Sequence, residues 1–254
     1  MNSTIGVFDS GFGGISALIA LKRTLPNEHY VYYADNLNAP YGLKNNFKIT
    51  QLSIEICNFL ISKNAKVIVI ACNTATSAAI STLRQKYKIP IIGMEPAIKP
   101  ALELGGKTII LGTNTTLRNK KLKALIKSLN PKEKIVLVDG SKLVKYIEGF
   151  QTNTHKFQEI VKNILSDQLD AKNIVLGCTH FLFIKNNIKS LLPKANIVDG
   201  HLGTAKRLEE ILQDNKQLTG NYPMIEFYSS MGEEMALKAK LLYKKNQEIN
   251  FFNQ

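Results

Sequence analysis

The chain alternates, nearly end to end, between short apolar runs rich in β-branched residues and longer amphipathic stretches. The short runs are Ile5–Asp9, Tyr30–Ala34, Val67–Ala71, Ile89–Gly93, Thr108–Gly112, Ile135–Val138, Ile174–Gly177, Ile197–Val198 and Ile225–Tyr228. Several, Val67–Ala71 among them, are apolar at every position, as suits strands of a parallel sheet covered on both faces. Between them lie stretches of helical spacing: Ile15–Leu25, Phe47–Ser62, Ala75–Tyr87, Leu117–Leu129, Phe157–Leu169, Leu182–Leu191, Thr204–Leu212 and Glu233–Tyr243. This order predicts an α/β fold with right-handed crossovers, its nine strands filling one sheet or two sheets of four or five. At 254 residues the chain suffices for one large domain or two small ones. No Gly/Ser/Pro-rich linker and no low-complexity segment divides it.

The composition excludes several classes. An apolar fraction of 44% with 21% charged residues is that of a globular protein, not a fibrous or disordered one. No apolar run approaches the roughly 20 residues that span a bilayer. The start, Met1-Asn2-Ser3-Thr4, has no basic or apolar signal segment, so a cytoplasmic location is expected. The net charge of +13 raises the question of a polyanionic partner. Only four basic residues are Arg (Arg23, Arg84, Arg118, Arg207), and the Lys are scattered without interleaved aromatics. Arg is the residue that forks onto phosphates and guanine edges, so a solvated basic surface is the preferred reading over nucleic-acid binding.

The three cysteines, Cys57, Cys72 and Cys178, cannot form a disulfide framework, and none has CxxC spacing. Two of them share a context. Val67-Ile68-Val69-Ile70-Ala71-Cys72-Asn73-Thr74 echoes Ile174-Val175-Leu176-Gly177-Cys178-Thr179-His180: an apolar strand, a small residue, Cys, polar residues, then helical spacing. Ligands of open α/β sheets bind outside the carboxyl ends of strands, where both thiols fall. A thiol at a helix N-terminus is favoured as thiolate, and the free N–H groups there receive anions. Asn73, Thr74, Thr76 and Thr179 add donors. The competing reading is that a Cys ending a strand is a small buried hydrophobe; two in matched polar contexts favour chemistry. Cys57, among Ile54, Ile56, Phe59 and Leu60, reads as core.

Other strand ends add candidates. Gly6-Val7-Phe8-Asp9-Ser10-Gly11-Phe12-Gly13-Gly14 is a strand leading into a glycine-rich turn, but it lacks GxGxxG order and the Walker Lys. Asp9 is an acid–base candidate or a helix cap. Ala39-Pro40-Tyr41-Gly42 reads as a turn at the same face. His180 stands two residues after Cys178, where it can exchange a proton, although a lone His is usually structural. Glu148 ends a helical stretch and alone reads as surface.

Together these segments resemble glutamate racemases of the aspartate/glutamate racemase superfamily. The resemblance lies in Gly6–Gly14, Pro40-Tyr41-Gly42, Ala71-Cys72-Asn73-Thr74-Ala75, Glu95-Pro96-Ala97-Ile98-Lys99-Pro100-Ala101, Leu111-Gly112-Thr113 and Leu176-Gly177-Cys178-Thr179-His180-Phe181, in family order. It implies two pseudo-symmetric α/β domains, each an open, mostly parallel sheet with flanking helices, around a cleft. Residues 1–96 with 206–254 would form the first domain, carrying Asp9 and Cys72, and 97–205 the second, carrying Glu148, Cys178 and His180. It implies interconversion of L- and D-glutamate for peptidoglycan synthesis without a cofactor. Cys72 and Cys178 would act as the two bases, with Asp9 and His180 as secondary acid–base groups and Glu148 supporting His180. Substrate contacts would come from Asp9, Ser10, Pro40, Tyr41, Gly42, Asn73, Thr74, Thr76, Thr113, Thr116, Thr179 and His180.

A homodimer is expected, and no metal or membrane partner. Aspartate racemases of the superfamily typically carry Glu where His180 stands, so the segment favours glutamate; an aspartate racemase is the nearest alternative. A basic protein that binds nucleic acid or gyrase is the alternative of another class. Phe12, Leu182 and the loop at 199–203 depart from the family pattern, and the start leaves no room for the N-terminal extension of some relatives.

Overall fold

The computed structural model describes residues 4–129, 131–218 and 223–251. Met1-Asn2-Ser3, on which the expectation about a signal segment rests, lie outside the described residues. Among the described residues nine strands form two sheets, and every pairing is parallel. The first contains β1 (Thr4–Asp9), β2 (His29–Ala34), β3 (Ala65–Ile70), β4 (Ile91–Gly93) and β9 (Ile225–Ser229), in the order β4-β3-β1-β2-β9. The second contains β5 (Thr108–Gly112), β6 (Ile135–Asp139), β7 (Asn173–Gly177) and β8 (Asn196–Val198), in the order β6-β5-β7-β8.

Burial follows position in the sheet. All residues of β1, β3, β5 and β7 are buried, which is why their middles read as continuous apolar runs, with the buried polar residues Thr4, Asp9, Lys66, Thr108 and Asn173 near the strand ends. The edge strands β6 and β9 are largely half-exposed. On one face of the first sheet, Ile5, Val7, Val67 and Val69 pack with α1 (Ile15–Thr24) and α10 (His201–Asp214). On the other, Phe8, Ile68 and Ile70 pack with α2 (Asn46–Ser62) and α3 (Asn73–Lys86). The second sheet is covered on one face by α7 (Ser141–Glu148), α8 (His155–Leu165) and α9 (Lys185–Leu191), and on the other by α4 (Ile98–Glu103) and α6 (Lys120–Leu129). The C-terminal α11 (Glu233–Lys245) packs beside β9 and α1.

Three helical expectations change in detail. The stretch Leu117–Leu129 divides into α5 (Asn114–Arg118) and α6. Asn119 turns to extended backbone between them, and its Oδ1 accepts from Lys121 N–H at 2.8 Å. The stretch Leu182–Leu191 begins instead as a 3-10 turn, Thr179–Ile184, before α9. The stretch Phe157–Leu169 is α8 followed by a 3-10 turn, Ser166–Gln168. The short helix α4 has no counterpart in the sequence reading, since Pro100 interrupts its pattern.

Candidate active site

In each sheet the chain first steps one way and then the other, and such reversal points open crevices at the carboxyl ends of the strands. In the first sheet the reversal lies between β1 and β3; in the second it lies between β5 and β7. Ser10 follows β1, Cys72 follows β3, Thr113 follows β5 and Cys178 follows β7. The four meet in one cavity, lined also by Pro40, Tyr41, Gly42, Leu43, Thr74, Ser141, Val144 and His180. Its free space is about 10 Å³, room for the centre of a single water.

Cys72 is the N-cap of α3. Its Sγ accepts from Ala75 N–H at 3.4 Å, and its S–H donates to Ser10 Oγ at 3.6 Å. Contrary to the expectation that a helix start favours thiolate, burial and the neighbouring Asp9 outweigh the Ala75 bond and push this thiol up to about 12. Cys178 leads into a 3-10 turn rather than an α-helix, and its sulfur caps nothing. What it has instead is a cation partner: His180 Nδ1 lies 3.5 Å from Cys178 Sγ. Burial disfavours charge on His180, but Cys178 and Glu148 outweigh it and hold the imidazole well above the usual histidine range.

Glu148, the last residue of α7, is almost wholly occupied. Its Oε1 accepts from His180 Nε2 at 2.5 Å and from Phe12 N–H at 2.7 Å, and Oε2 accepts from Asn36 Nδ2 at 3.3 Å. Burial alone would raise this carboxyl; the His180, Phe12 and Asn36 bonds keep it below the usual range. Asp9 lies behind the cavity wall. It accepts from Gly11 N–H at 2.9 Å and from Thr179 Oγ1 at 3.1 Å, and burial raises its carboxyl. Tyr41 O–H donates to Asp35 Oδ2 at 2.6 Å.

Three hydroxyls close the other side. Thr74 Oγ1 lies 2.8 Å from Thr113 Oγ1, which lies 3.1 Å from Thr116 Oγ1. Asn73 is buried, donates to Met94 O at 3.3 Å and leaves its Oδ1 without a partner. Thr76 is turned away: its hydroxyl donates to Ile70 O at 3.4 Å, and with Thr116 it lines a separate cavity of about 130 Å³ beside Glu95 and Lys121. Leu43, Ser141 and Val144 are wall residues absent from the sequence reading. Ser141 had a signal, since it follows β6 at the same end of the sheet as the other candidates; Leu43 and Val144 had none. Cys57 is fully buried in α2, and burial pushes its thiol up to about 12.

Among the described residues, no cluster of His, Cys, Asp or Glu is arranged to hold a metal ion, and no helix is long and apolar enough to cross a membrane.

Relatives carry the same architecture. A glutamate racemase of Bacillus subtilis is 39% identical over 251 residues, which is 94% of this chain and 95% of that protein. The crystal structure of a Bacillus anthracis glutamate racemase, isoform RacE1, superposes with a TM-score of 0.85 at 28% identity, covering 94% of each chain. That of Francisella tularensis glutamate racemase in complex with D-glutamate superposes with a TM-score of 0.82 at 28% identity, over 96% of this chain and 94% of that one. A family model described as Asp/Glu/Hydantoin racemase matches residues 12–207, from the glycine-rich turn to the middle of α10. With both thiols and the strands that carry them inside that match, the chain belongs to the Asp/Glu/hydantoin racemase family.

Proposed function

We propose that the chain is a glutamate racemase that moves the Cα proton between two cysteines, without a cofactor. The observation that carries this reading is the pair of thiols at equivalent reversal points of two sheets, lining one cavity. Inverting Cα requires removal of a proton from one face and delivery to the other, and a single side chain cannot reach both. The two sulfurs are prepared differently. Cys72 holds its proton and donates it to Ser10; Cys178 has the charged imidazole of His180 beside it. One sulfur acts as the base on its face while the other returns a proton on the opposite face, and each turnover exchanges the two roles. The hydroxyls of Ser10, Thr74 and Thr113 supply donors to the substrate carboxylates in a site from which water is excluded. Asp9 and His180 serve the two thiols as secondary acid–base groups, and Glu148 holds His180 in place.

The same reading includes the wider expectations: a domain of residues 1–96 with 206–254 facing one of 97–205, a homodimer, and supply of D-glutamate for peptidoglycan in the cytoplasm. The first boundary falls between β4 and α4; the second falls within α10. The titratable trio Cys178–His180–Glu148 supports glutamate over aspartate, since aspartate racemases typically place Glu at the position of His180.

The test is circular dichroism of D-glutamate incubated with the purified chain, with D-aspartate alongside. Loss of ellipticity from glutamate alone is expected. Turnover of aspartate alone would overturn the substrate assignment, and turnover of neither, with salt-dependent retention on DNA, would favour a basic binding protein.

A further inference from the structure

A second line of buried polar groups runs behind the cavity. Asp199 follows β8, and His201 is the first residue of α10. His201 Nδ1–H donates to Asp199 Oδ1 at 2.8 Å, and the His201 main-chain N–H reaches the same oxygen at 3.1 Å. The other ring nitrogen, Nε2, shares a hydrogen bond of 2.7 Å with Ser16 Oγ in the first turn of α1. With Nε2 as the donor to Oγ, the single Ser16 proton is left for the carbonyl oxygens it faces, Gly13 O at 2.8 Å and Thr179 O at 3.3 Å; Gly13 O also accepts from Ser16 N–H at 3.2 Å. Asp199, His201 and Ser16 are all buried. Phe251 stacks on the His201 ring with centroids 5.3 Å apart, and Arg23 lies over Phe251 at 5.1 Å, covering the group from outside.

Buried polar groups cost folding free energy unless each finds a partner, and apolar side chains of the same size would fill this space without that demand. The value of this line lies in what Ser16 holds. The two carbonyls belong to the two backbone segments that enclose the His180 ring. Gly13 presses so closely on it that a Cβ there would stand 2.4 Å from His180 Nδ1 and 2.5 Å from Thr179 Oγ1. Thr179 is the residue between Cys178 and His180. The spacing of these two segments therefore fixes how His180 meets Cys178.

We propose that His201 is a positioning residue for racemisation: anchored by Asp199 and acting through Ser16, it sets the glycine-rich turn against Cys178-Thr179-His180 and so places the Cys178 sulfur. This rests on the racemase reading above. The test compares His201→Gln with His201→Asn. The Gln amide extends about as far as Nε2 and preserves the bond to Ser16; the Asn amide reaches only as far as Nδ1 and preserves the bond to Asp199. With KM little changed, kcat of His201→Gln should stay within about threefold of the parent, and that of His201→Asn should fall about tenfold or more. Both should melt within about 3 °C of each other. In parallel, iodoacetamide alkylation read by peptide mass spectrometry should show a changed Cys178-to-Cys72 rate ratio in His201→Asn and the parental ratio in His201→Gln. Equal kcat losses in the two variants, losses that track melting temperature, or an unchanged ratio in His201→Asn would overturn the proposal. A parent chain that fails to racemise glutamate would refute the racemase reading, and the alkylation ratio would still decide the positioning role.

Discussion

At Cys72 a sulfur stands where helix starts usually carry an oxygen, accepting from Ala75 N–H while its own proton points at Ser10. Replacing either Cys72 or Cys178 by Ala should abolish racemisation. Cys57→Ala should leave turnover intact and cost roughly 1 kcal/mol for the small void it leaves, a contrast read by dichroism of glutamate and by urea denaturation. The Ser variants separate the faces. On the family's handedness, Cys72→Ser should retain more solvent deuterium exchange into L-glutamate than into D-glutamate, and Cys178→Ser the reverse; NMR in deuterated buffer reads both. The imidazole sets a pH dependence of stability. An unfolded histidine loses its proton near about pH 6.5, while folded His180 keeps it well above that. The folded state then binds more protons, so unfolding free energy falls as pH rises from about 6.5 through the folded value. Cys72 adds the same sign at higher pH, between its ordinary value of 9.0 and about 12. Urea titrations at about pH 6 and about pH 8.5 should show a larger loss for the parent than for His180→Gln; equal losses would refute the assignment. The thiols and Asp9 were legible because they end apolar strands, and Asn73, Thr74, Thr76 and Thr179 because they follow the thiols, whereas Thr113 and Thr116 entered only by resemblance. Glu148 was legible only by resemblance, because its role depends on His180, 32 residues away, and Leu43 and Val144 offer no chemistry for a pattern to mark.

The elements were legible where burial imposes a period. All nine strands were expected within a few residues, because central strands covered on both faces are apolar over most of their length, with polar residues such as Asp9, Lys66 and Asn173 near their ends. The breaks in helices were not, because they rest on single polar contacts that apolar spacing cannot register. Asn119 is the clearest case. Leu117, Leu122 and Leu125 continue a helical pattern across it, yet its side chain caps α6 at Lys121 N–H and donates to Ser77 O at 2.7 Å. Asn119→Ala should therefore cost about 1 kcal/mol or somewhat more, a lost cap together with a lost contact between α3 and the α5–α6 corner. Thermal denaturation checks it, and an unchanged melting temperature would show that neither bond matters. The 3-10 turn after Cys178 was hidden in the same way: Phe181, Leu182 and Ile184 are all buried, and burial on this scale mimics helical spacing whatever the turn that delivers it.

At the scale of the whole molecule, the two sheets leave almost no space between them where the two thiols meet. A cavity of about 10 Å³ cannot hold glutamate, so the walls must part before substrate binds. Contacts that resist parting include Thr74 with Thr113, Thr115 Oγ1 donating to Gly42 O at 3.2 Å, Asn119 with Ser77, Thr179 with Asp9, and Phe12 N–H and Asn36 with Glu148. The neutral bonds are each worth about 0.5–1.5 kcal/mol, and those to a carboxylate about 1.5–3 kcal/mol. Thr115→Val should then speed alkylation of Cys72 and Cys178 by iodoacetamide roughly two- to tenfold, in proportion to the easier opening; unchanged rates would place the opening elsewhere. The pairing of β9 with β2 has a different consequence. Residues 30–34 wait for partners at 225–229, which leave the ribosome almost two hundred residues later. At about 5–20 residues per second, the edge of β2 stands bare for roughly ten to forty seconds of synthesis, while the second sheet, drawn entirely from residues 108–198, already has every strand it needs. During that interval the nascent chain carries an unpaired parallel edge, the feature of a sheet most prone to recruit a neighbour's strand, so translation speed between residues 34 and 229 becomes a determinant of soluble yield.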